Sequence, residues 1–410
     1  MEGKRTTGGA ADPTFTNSLS AGGDFGHLSD EVILMILNLL SPKDLYNLMK
    51  TCVRLNNLCQ EPKLWTSIED PPDKRESIHF ALNHLMTSKT KKVKLSVGCS
   101  PINRGYRTSL SPSSLKLLLQ GDHLSELHLV NQRLDADHFR MHDLPPNLRV
   151  LNMSGCVLSN YETQDHGLYL KDLSLRLKEL EDLNLSYCSF AMAHSLMPIS
   201  KLPKLKKLYL RGCRDVGECL AYVALSTRYG FTQLKVLDVT DTRVGSIEFS
   251  SFAIIKTLEE FYFGQYDQFL DHPINHITDL CITRIRNSPT IRILDASGSR
   301  LTDRSLEIFE SIPNLERVEA HFTSFSKNAL ETFHRNRPKC RIHMVENPVQ
   351  VSHVLIRPQQ LNTTCFNRHH GPSESPSPSG SVITIDTRAN LNASSSGNNY
   401  NNTDNNNHNV

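Results

Sequence analysis

The chain has almost no excess of charge of either sign. Its 45 Lys and Arg residues are balanced by 43 Asp and Glu residues, which leaves a formal charge of +2 over 410 residues. A nucleic-acid-binding protein usually presents a basic field to the phosphate backbone, and this composition argues against one. We therefore expect no nucleic-acid partner.

Long apolar runs are also missing. The longest, from Val32 to Leu40, is interrupted by Asn38. A transmembrane helix needs about 20 apolar residues, so no membrane partner is expected. The first residues, MEGKRTTGGAADPTF, contain no apolar stretch of the kind found in a signal peptide. We therefore expect a reducing compartment, the cytoplasm or the nucleus, with free thiols.

Motifs of catalysis and metal binding are absent as well. The sequence has no G-x-S-x-G element, P-loop, H-E-x-x-H, protein-kinase signature or Rossmann fingerprint, and its histidines do not sit at ligand spacing. The ten cysteines include no C-x-x-C pair. These absences favour a non-catalytic protein, and we expect no catalytic residue, cofactor or metal.

One repeated pattern dominates the middle of the chain. The segment LEDLNLSYCSF, which starts at Leu180, follows the template L-x-x-L-x-L-x-x-N/C-x-L of a leucine-rich repeat, with the apolar Phe190 at the last leucine position. Similar registers begin at Leu124, Leu148, Leu180, Leu205, Leu234, Leu258, Ile291 and Leu315. One repeat cannot bury its own leucines, but a regular series can. The eight registers predict a leucine-rich-repeat solenoid of the α/β class, a horseshoe with one strand per repeat.

Template position five points to the open, concave face, because side chains alternate along a strand. The residues at this position are His128, Asn152, Asn184, Tyr209, Asp238, Tyr262, Asp295 and Glu319. We take them as candidate substrate-binding residues. The acids and tyrosines of the later repeats suggest a hypothesis, that this half binds a segment of basic and aromatic character. A merely solvated face is the alternative.

Three cysteines occupy template position nine of successive repeats: Cys156, Cys188 and Cys213. A small, weakly polar side chain at this position fits inside the turn after the strand and reaches backbone groups. We therefore predict a structural role for these thiols.

A compact helical stretch precedes the repeats. Ser29 is placed to cap a first helix that runs to Leu40, and Ser41 with Pro42 predicts the start of a second. A third helical segment is predicted over 52–60. The first helix carries apolar residues around most of its circumference, more than about 40 residues can bury by themselves. The excess predicts a partner surface; the alternative is that this module only caps the repeat array.

The helical stretch resembles the F-box, a module that in its family binds the Skp adaptor of cullin-RING ubiquitin ligases. The matching positions are Leu28, Glu31, Ile36, Leu37, Leu40, Pro42, Asp44, Leu45, Cys52, Arg54, Leu58, Pro62, Leu64 and Trp65. Two positions depart from the pattern: Ser29 replaces the usual proline and Leu55 the usual aromatic residue. The resemblance implies an adaptor-binding set of Leu28, Ile36, Leu37, Leu40, Pro42, Leu45, Leu64 and Trp65.

An F-box before leucine-rich repeats is similar to the F-box and leucine-rich-repeat protein family. The segments SLSPSSLKLLL (109–119) and LPPNLRVLNMSGCVLS (144–159) look most like its twelve group. The resemblance implies the substrate-recognition subunit of an SCF (Skp-cullin-F-box) E3 ubiquitin ligase, whose partners are the Skp adaptor, a cullin-RING scaffold and a protein substrate. The alternative is a non-ligase leucine-rich-repeat adaptor or inhibitor.

These observations divide the chain into five parts. Residues 1–26 are expected to be disordered, 27–68 to form the F-box, 69–123 a linker and N-terminal cap, 124–345 the repeats with their C-terminal cap, and 346–410 a disordered tail rich in Ser, Pro and Asn. Within the cap, a helix is predicted over 77–86, a leading strand that seals the array over 92–97, and a helix over 113–119. The loop before the helical spacing of 277–285 is a possible ligand-facing insertion, and 336–345 is expected to close the solenoid.

Overall fold

The computed structural model describes residues 27–69, 77–96, 110–160, 169–266 and 277–344. The predictions of disorder for 1–26 and 346–410 lie outside these residues, and so does most of the possible insertion before residue 277. No helix in the described part of the chain is long and apolar enough to span a membrane.

The N-terminal module consists of three helices, α1 (Asp30–Leu37), α2 (Pro42–Met49) and α3 (Val53–Cys59). The predicted caps are confirmed: the Ser29 hydroxyl accepts a hydrogen bond from the Val32 amide, and the Ser41 hydroxyl accepts one from the Asp44 amide. Helix α1 ends at Leu37, three residues before the predicted end. The chain tightens there, because the amides of Leu39 and Leu40 bond to carbonyls three residues back, and Ser41 before Pro42 is extended.

The rest of the described chain is a single parallel sheet of eleven strands, with a pair of short strands beside it. Each of the eight repeat registers contributes one strand to this sheet, so the predicted solenoid is confirmed. The large sheet consists of β1 (Ser67–Glu69), β2 (Lys92–Ser96), β3 (Glu126–Val130), β5 (Val150–Asn152), β7 (Asp182–Asn184), β8 (Lys207–Tyr209), β9 (Val236–Asp238), β10 (Glu260–Tyr262), β11 (Ile293–Asp295), β12 (Arg317–Glu319) and β13 (Arg341–His343). The pair consists of β4 (Arg133–Asp135) and β6 (Val157–Ser159).

Helices and tighter turns connect the strands. The helix predicted over 77–86 begins as α4 (Ser77–Phe80) and continues as a wide π turn, Ala81–Leu85, and the helix predicted over 113–119 is α5 (Pro112–Leu119). The remaining α-helices of the repeats are α6 (Leu173–Arg176), α7 (Leu196–Ser200), α8 (Leu220–Tyr229), α9 (Ser246–Phe252), α10 (Asp279–Ile282), α11 (Asp303–Glu310) and α12 (Lys327–Asn336). At the C-terminal end, β13 adds to β12 as the predicted closing strand.

The first strand of the sheet was not predicted. Strand β2 does not seal the array, because β1 pairs with its outer edge in parallel register, Ile68 opposite Val93. Strand β1 also straddles the boundary placed between residues 68 and 69. The last residues of the helical module are therefore the first strand of the solenoid.

Trp65 joins the helical module to the sheet. Its side chain is fully buried, its ring centroid lies 4.9 Å from that of Tyr46, and its indole N–H donates to the Cys59 carbonyl at 2.6 Å. From the other side, the Thr90 hydroxyl donates to the Trp65 carbonyl at 2.7 Å. Buried side chains of α1 and α2 belong to the same continuous core as those of the repeats. The module is thus packed onto the array and not merely tethered to it.

The position-nine cysteines form a ladder inside the solenoid. Each thiol donates to a backbone carbonyl of the preceding repeat: Cys156 to Leu129, Cys188 to Met153 and Cys213 to Leu185, at 2.7 to 3.0 Å. All three side chains are buried. Burial raises the pKa of the Cys188 thiol well above its usual value and that of Cys213 to about 12. The predicted structural role is confirmed.

This ladder predicts a large difference in thiol reactivity. At pH 8 we expect iodoacetamide to label Cys188 on the order of 100-fold more slowly than the exposed Cys52, because a buried thiol with a raised pKa reacts only through opening of the structure. Mass spectrometry of the labelled peptides measures both rates in one sample. Similar rates in the native protein would contradict the prediction, whereas similar rates in guanidinium chloride are expected.

Candidate interaction surfaces

The adaptor-binding residues implied by the resemblance divide into two groups. Leu28, Ile36, Leu40, Pro42 and Leu64 are half-buried at the surface of the helical module. Leu37, Leu45 and Trp65 are buried in the core of the chain itself. The second group therefore cannot touch a partner directly, and its role is to hold the helices that do.

The most exposed apolar side chains of the module lie mainly on the first helix, whose apolar excess predicted a partner surface; only Val53, on α3, was not anticipated from the sequence. They are Val32 (41% exposed), Met35 (72%), Leu39 (84%) and Val53 (76%), here called the α1 apolar face. The first three recur at helical spacing along α1 and its final turn. The Arg54 side chain donates to the Leu28 carbonyl at 2.6 Å and pairs with Asp30 at 2.7 Å, which holds the start of α3, with Val53, against the start of α1. Exposed apolar side chains on one helical module are typical of interaction surfaces.

The concave row has the predicted order. Parallel pairing aligns His128, Asn152, Asn184, Tyr209, Asp238, Tyr262, Asp295 and Glu319 across neighbouring strands. The same row extends to Lys94 and Glu69 at one end and to His343 at the other. Neighbouring strands lie about 4.8 Å apart, so the row runs the length of the sheet.

The later half of the row is not open to a partner in the way the basic-segment hypothesis requires. Asp238, Tyr262 and Asp295 are each at most 3% exposed. The Asp238 carboxylate accepts from the Thr240 amide at 3.0 Å, and the Tyr262 hydroxyl donates to Glu260 at 2.5 Å. The prediction that these three residues bind substrate is therefore wrong. Their polar groups are buried and already form hydrogen bonds within the chain, so their role is structural.

Tyr266 covers the Asp295 end of this region. Its hydroxyl donates to the Asp295 carboxylate at 2.8 Å and its amide donates to the Asp241 carboxylate at 2.6 Å. Arg211 pairs with Asp241 at 3.1 Å and lies over the Tyr266 ring, 5.3 Å from its centroid. Burial and the neighbouring Asp295 raise the pKa of the Tyr266 hydroxyl well above its usual value. The carboxylates thus form a closed network with a tyrosine and an arginine.

The carboxylate of Glu319, the last of the eight candidates, is also paired with groups of the same chain. It lies 3.3 Å from ring nitrogens of both His321 and His343 and 3.5 Å from Arg317. Burial opposes ionisation of Glu319, but hydrogen bonds from the two histidines outweigh it and lower its pKa to about 2. The hydrogen bond to Glu319 also raises the pKa of His343.

Asp182, at position three of its repeat, behaves differently. Its side chain is half-buried on the concave face and, within the part of the chain that the structure describes, makes no hydrogen bond or ion pair. Val150 and Lys207 are its register partners on the neighbouring strands. Burial raises the pKa of Asp182, nearby Lys207 lowers it and Glu126 raises it. A carboxylate in this position has lost part of its hydration, and the charge of Lys207 compensates for only part of that loss.

Three half-buried polar side chains of the candidate row lie two residues further along the strands than Asp182 and its register partners. Asn152 and Asn184 each accept a hydrogen bond from a backbone amide, of Ser154 and Ser186, at 2.9 Å through Oδ1. Their Nδ2 groups have no hydrogen-bond acceptor among the described residues. Tyr209 is the register partner of Asn184. We call Asp182, Asn152, Asn184 and Tyr209 the Asp182 site. Among the described residues, no group of three or more His, Cys, Asp and Glu side chains is placed to hold a metal ion.

Comparisons with known proteins support the N-terminal assignment. The family described as F-box-like matches residues 26–69. A comparison with curated proteins gives no match. The solved structures that match include an internalin from Listeria monocytogenes, at 16% identity over 66% of this chain and 74% of that one, with a TM-score of 0.40.

Two further structures are similar at the same level. A leucine-rich repeat-containing protein from Legionella pneumophila is 12% identical over 68% of this chain and 90% of that one, with a TM-score of 0.40. One chain in the structure of the yeast Rad7 and Elc1 complex is 16% identical over 80% of this chain and 91% of that one, with a TM-score of 0.35. The assignment of an F-box-like module followed by a leucine-rich-repeat solenoid stands on the matched residues and on the strand register.

Proposed function

We propose that this chain is the substrate-recognition subunit of an SCF E3 ubiquitin ligase. The α1 apolar face binds the Skp adaptor, and through it a cullin-RING scaffold, while the concave face binds the protein substrate. The observation that carries the proposal is the exposure of Met35 and Leu39, at 72% and 84%, on a module that matches the F-box-like family. Within the F-box and leucine-rich-repeat proteins, segments 109–119 and 144–159 favour the twelve group.

The packing of the module supports this role physically. Because β1 continues the module into the sheet and Trp65 is buried between them, an adaptor on α1 is held at a fixed distance and angle from the concave face. A substrate on that face is then presented to a ubiquitin-conjugating enzyme at high effective concentration. No side chain of this chain has to perform chemistry, since the reactive thioester is supplied by another protein. The free, buried cysteines agree with a reducing compartment, the cytoplasm or the nucleus.

Reconstitution tests the proposal. We expect the purified full-length chain to co-elute with a Skp adaptor in size-exclusion chromatography, and the pair to co-elute with a cullin-RING complex. The cullin-RING complex without the adaptor serves as the control and should elute separately from the chain. Separate elution of the chain and the adaptor at micromolar concentrations would overturn the ligase assignment and leave an interaction protein of another kind.

A further inference from the structure

Among the carboxylates on the strands of the eight repeats, Asp182 is distinguished by forming no hydrogen bond or ion pair with another described residue; the nearby Lys207 acts on it only through its charge. The other carboxylates on the strands of the eight repeats are all engaged: Glu126 with Lys92, Asp238 with the Thr240 amide, Glu260 with Tyr262, Asp295 with Tyr266 and Glu319 with two histidines. A half-buried carboxylate without a partner costs stability. The fold satisfies the acids around it, so a group outside the described chain is the natural partner for this one.

We propose that Asp182 binds a cationic side chain, lysine or arginine, of the protein that occupies the concave face. This inference rests on the proposed function, which assigns that face to the substrate. It also revises the hypothesis drawn from the sequence. The basic side chain of the substrate binds in the middle of the array, at Asp182 on β7, and not at the acids of the later repeats.

The neighbours of Asp182 fit such a ligand. The Tyr209 ring lies on the adjacent strand, two residues further along than Lys207, and Asp182 raises the pKa of its hydroxyl in addition to the effect of burial. A cation held at Asp182 is therefore within reach of an aromatic side chain as well. The free Nδ2 groups of Asn152 and Asn184 can donate to carbonyl oxygens of the bound segment. The site thus offers one acceptor for the cation and several donors for the peptide backbone.

Lys207 is the cation of this chain that lies nearest to Asp182 in the strand register, and it competes with an external cation for the carboxylate. It is exposed, directly across from Asp182 in the register, yet it forms no ion pair with Asp182. Its charge repels an incoming cation, so its removal should strengthen binding rather than weaken it. A metal ion is a poor alternative, because the described residues place no second or third ligand of the usual kind beside Asp182.

Peptide pools test the inference. The probes are nonapeptides with blocked ends, uncharged random flanks, and a central residue fixed as Arg, Lys, Gln or Glu; binding to the full-length chain is measured by fluorescence polarisation. We expect the Arg and Lys pools to bind at least about tenfold more tightly than the Gln pool, and the Glu pool most weakly. Asp182→Asn should bring the Arg and Lys pools to the Gln level, and Lys207→Gln should increase their affinity about two- to threefold.

Glu69→Gln is the matched control. Glu69 is also half-buried on the concave face without an ion pair among the described residues, but it lies four strands away, about 19 Å at the usual strand spacing. The variant removes the same charge and should keep the preference for Arg and Lys. Equal binding of all pools to the wild-type chain, or an unchanged preference in Asp182→Asn, overturns the inference.

The outcome is independent of the ligase assignment. Adaptor co-elution, measured on the same samples, should be unaffected by Asp182→Asn. If the adaptor binds but the chain does not prefer the Arg and Lys pools, the proposal that Asp182 binds a cationic side chain is wrong and the F-box role is retained. If the adaptor does not bind but the preference for Arg and Lys depends on Asp182, the proposal for Asp182 is retained and the ligase role is wrong.

Stability gives a second readout. Because burial raises the pKa of Asp182, the ionised form is disfavoured in the folded state, and the destabilisation it causes grows as the pH rises above the usual range of an aspartate. Asp182→Asn should therefore raise the Tm at pH 7 and have a smaller effect near pH 3, measured by differential scanning calorimetry. A purely structural role for Asp182 would give the opposite result, a lower Tm at pH 7.

Discussion

Replacement of both Met35 and Leu39 by aspartate is expected to abolish binding of the Skp adaptor while the fold remains intact. Both side chains are mostly exposed in the isolated chain, so the polar replacements should leave the free energy of unfolding within about 0.5 kcal/mol. The proposed complex with the adaptor would bury them. Each lost apolar contact is worth about 1.5 to 3 kcal/mol, and each introduced carboxylate adds a desolvation penalty.

The expected loss of affinity is therefore at least about 100-fold, which corresponds to about 3 kcal/mol. Isothermal titration calorimetry of the adaptor with wild-type and variant chains measures it, and the Tm of each chain shows that the fold has survived. Residual binding within about fivefold of the wild type would contradict the assignment of the α1 apolar face.

The chain offers a matched control on the opposite part of the molecule. Leu280, on α10, is 78% exposed and Ile247, on α9, is 61% exposed, so a Leu280→Asp and Ile247→Asp double variant has the same chemistry at similar exposure. This variant should bind the adaptor with unchanged affinity. If it also lost the adaptor, the effect of the first variant would reflect the added negative charge and not its position.

The regular parts of the fold were predictable from the sequence because they depend on local patterns. The spacing of leucines set the eight registers, and the helix starts followed from Ser29 and Ser41, whose hydroxyls satisfy amides only three residues away. Strand β1 was missed for the same reason. Its three residues, Ser67–Glu69, carry no repeat template, and they form a strand only because β2 offers a parallel edge 25 residues later.

The candidate sites were harder to predict because burial depends on distant residues. The repeat pattern does not separate Asp182 from Asp295, since both face the concave side. Asp295 is covered by Tyr266, 29 residues away in the chain, whereas the two register partners of Asp182, Val150 and Lys207, form no hydrogen bond or ion pair with it. Likewise, apolar residues around α1 indicated a partner surface, but only the packing of α1 against the core separates the buried Leu37 from the exposed Leu39.

Replacement of Trp65 by alanine should destabilise the protein by about 3 to 5 kcal/mol, the usual cost of removing a large buried aromatic side chain. The ring is fully buried against Tyr46, and its N–H donates to the Cys59 carbonyl, which would lose its partner. Denaturant unfolding monitored by circular dichroism measures the change. Val53→Ala, at an exposed position of the same module, should cost less than about 0.5 kcal/mol.

The position of Trp65 also predicts where the damage appears. Because Trp65 lies between α2 and β1, its loss should expose the amides that join β1 to β2, such as that of Lys91, which donates to the Thr66 carbonyl at 2.8 Å. Hydrogen exchange should accelerate there before it does in β9 to β12. Adaptor binding should weaken only to the extent that the module unfolds, and should recover on cooling to the temperature of maximum stability. A cost below about 1 kcal/mol, or uniform exchange along the sheet, would mean that the helical module and the array do not share a core.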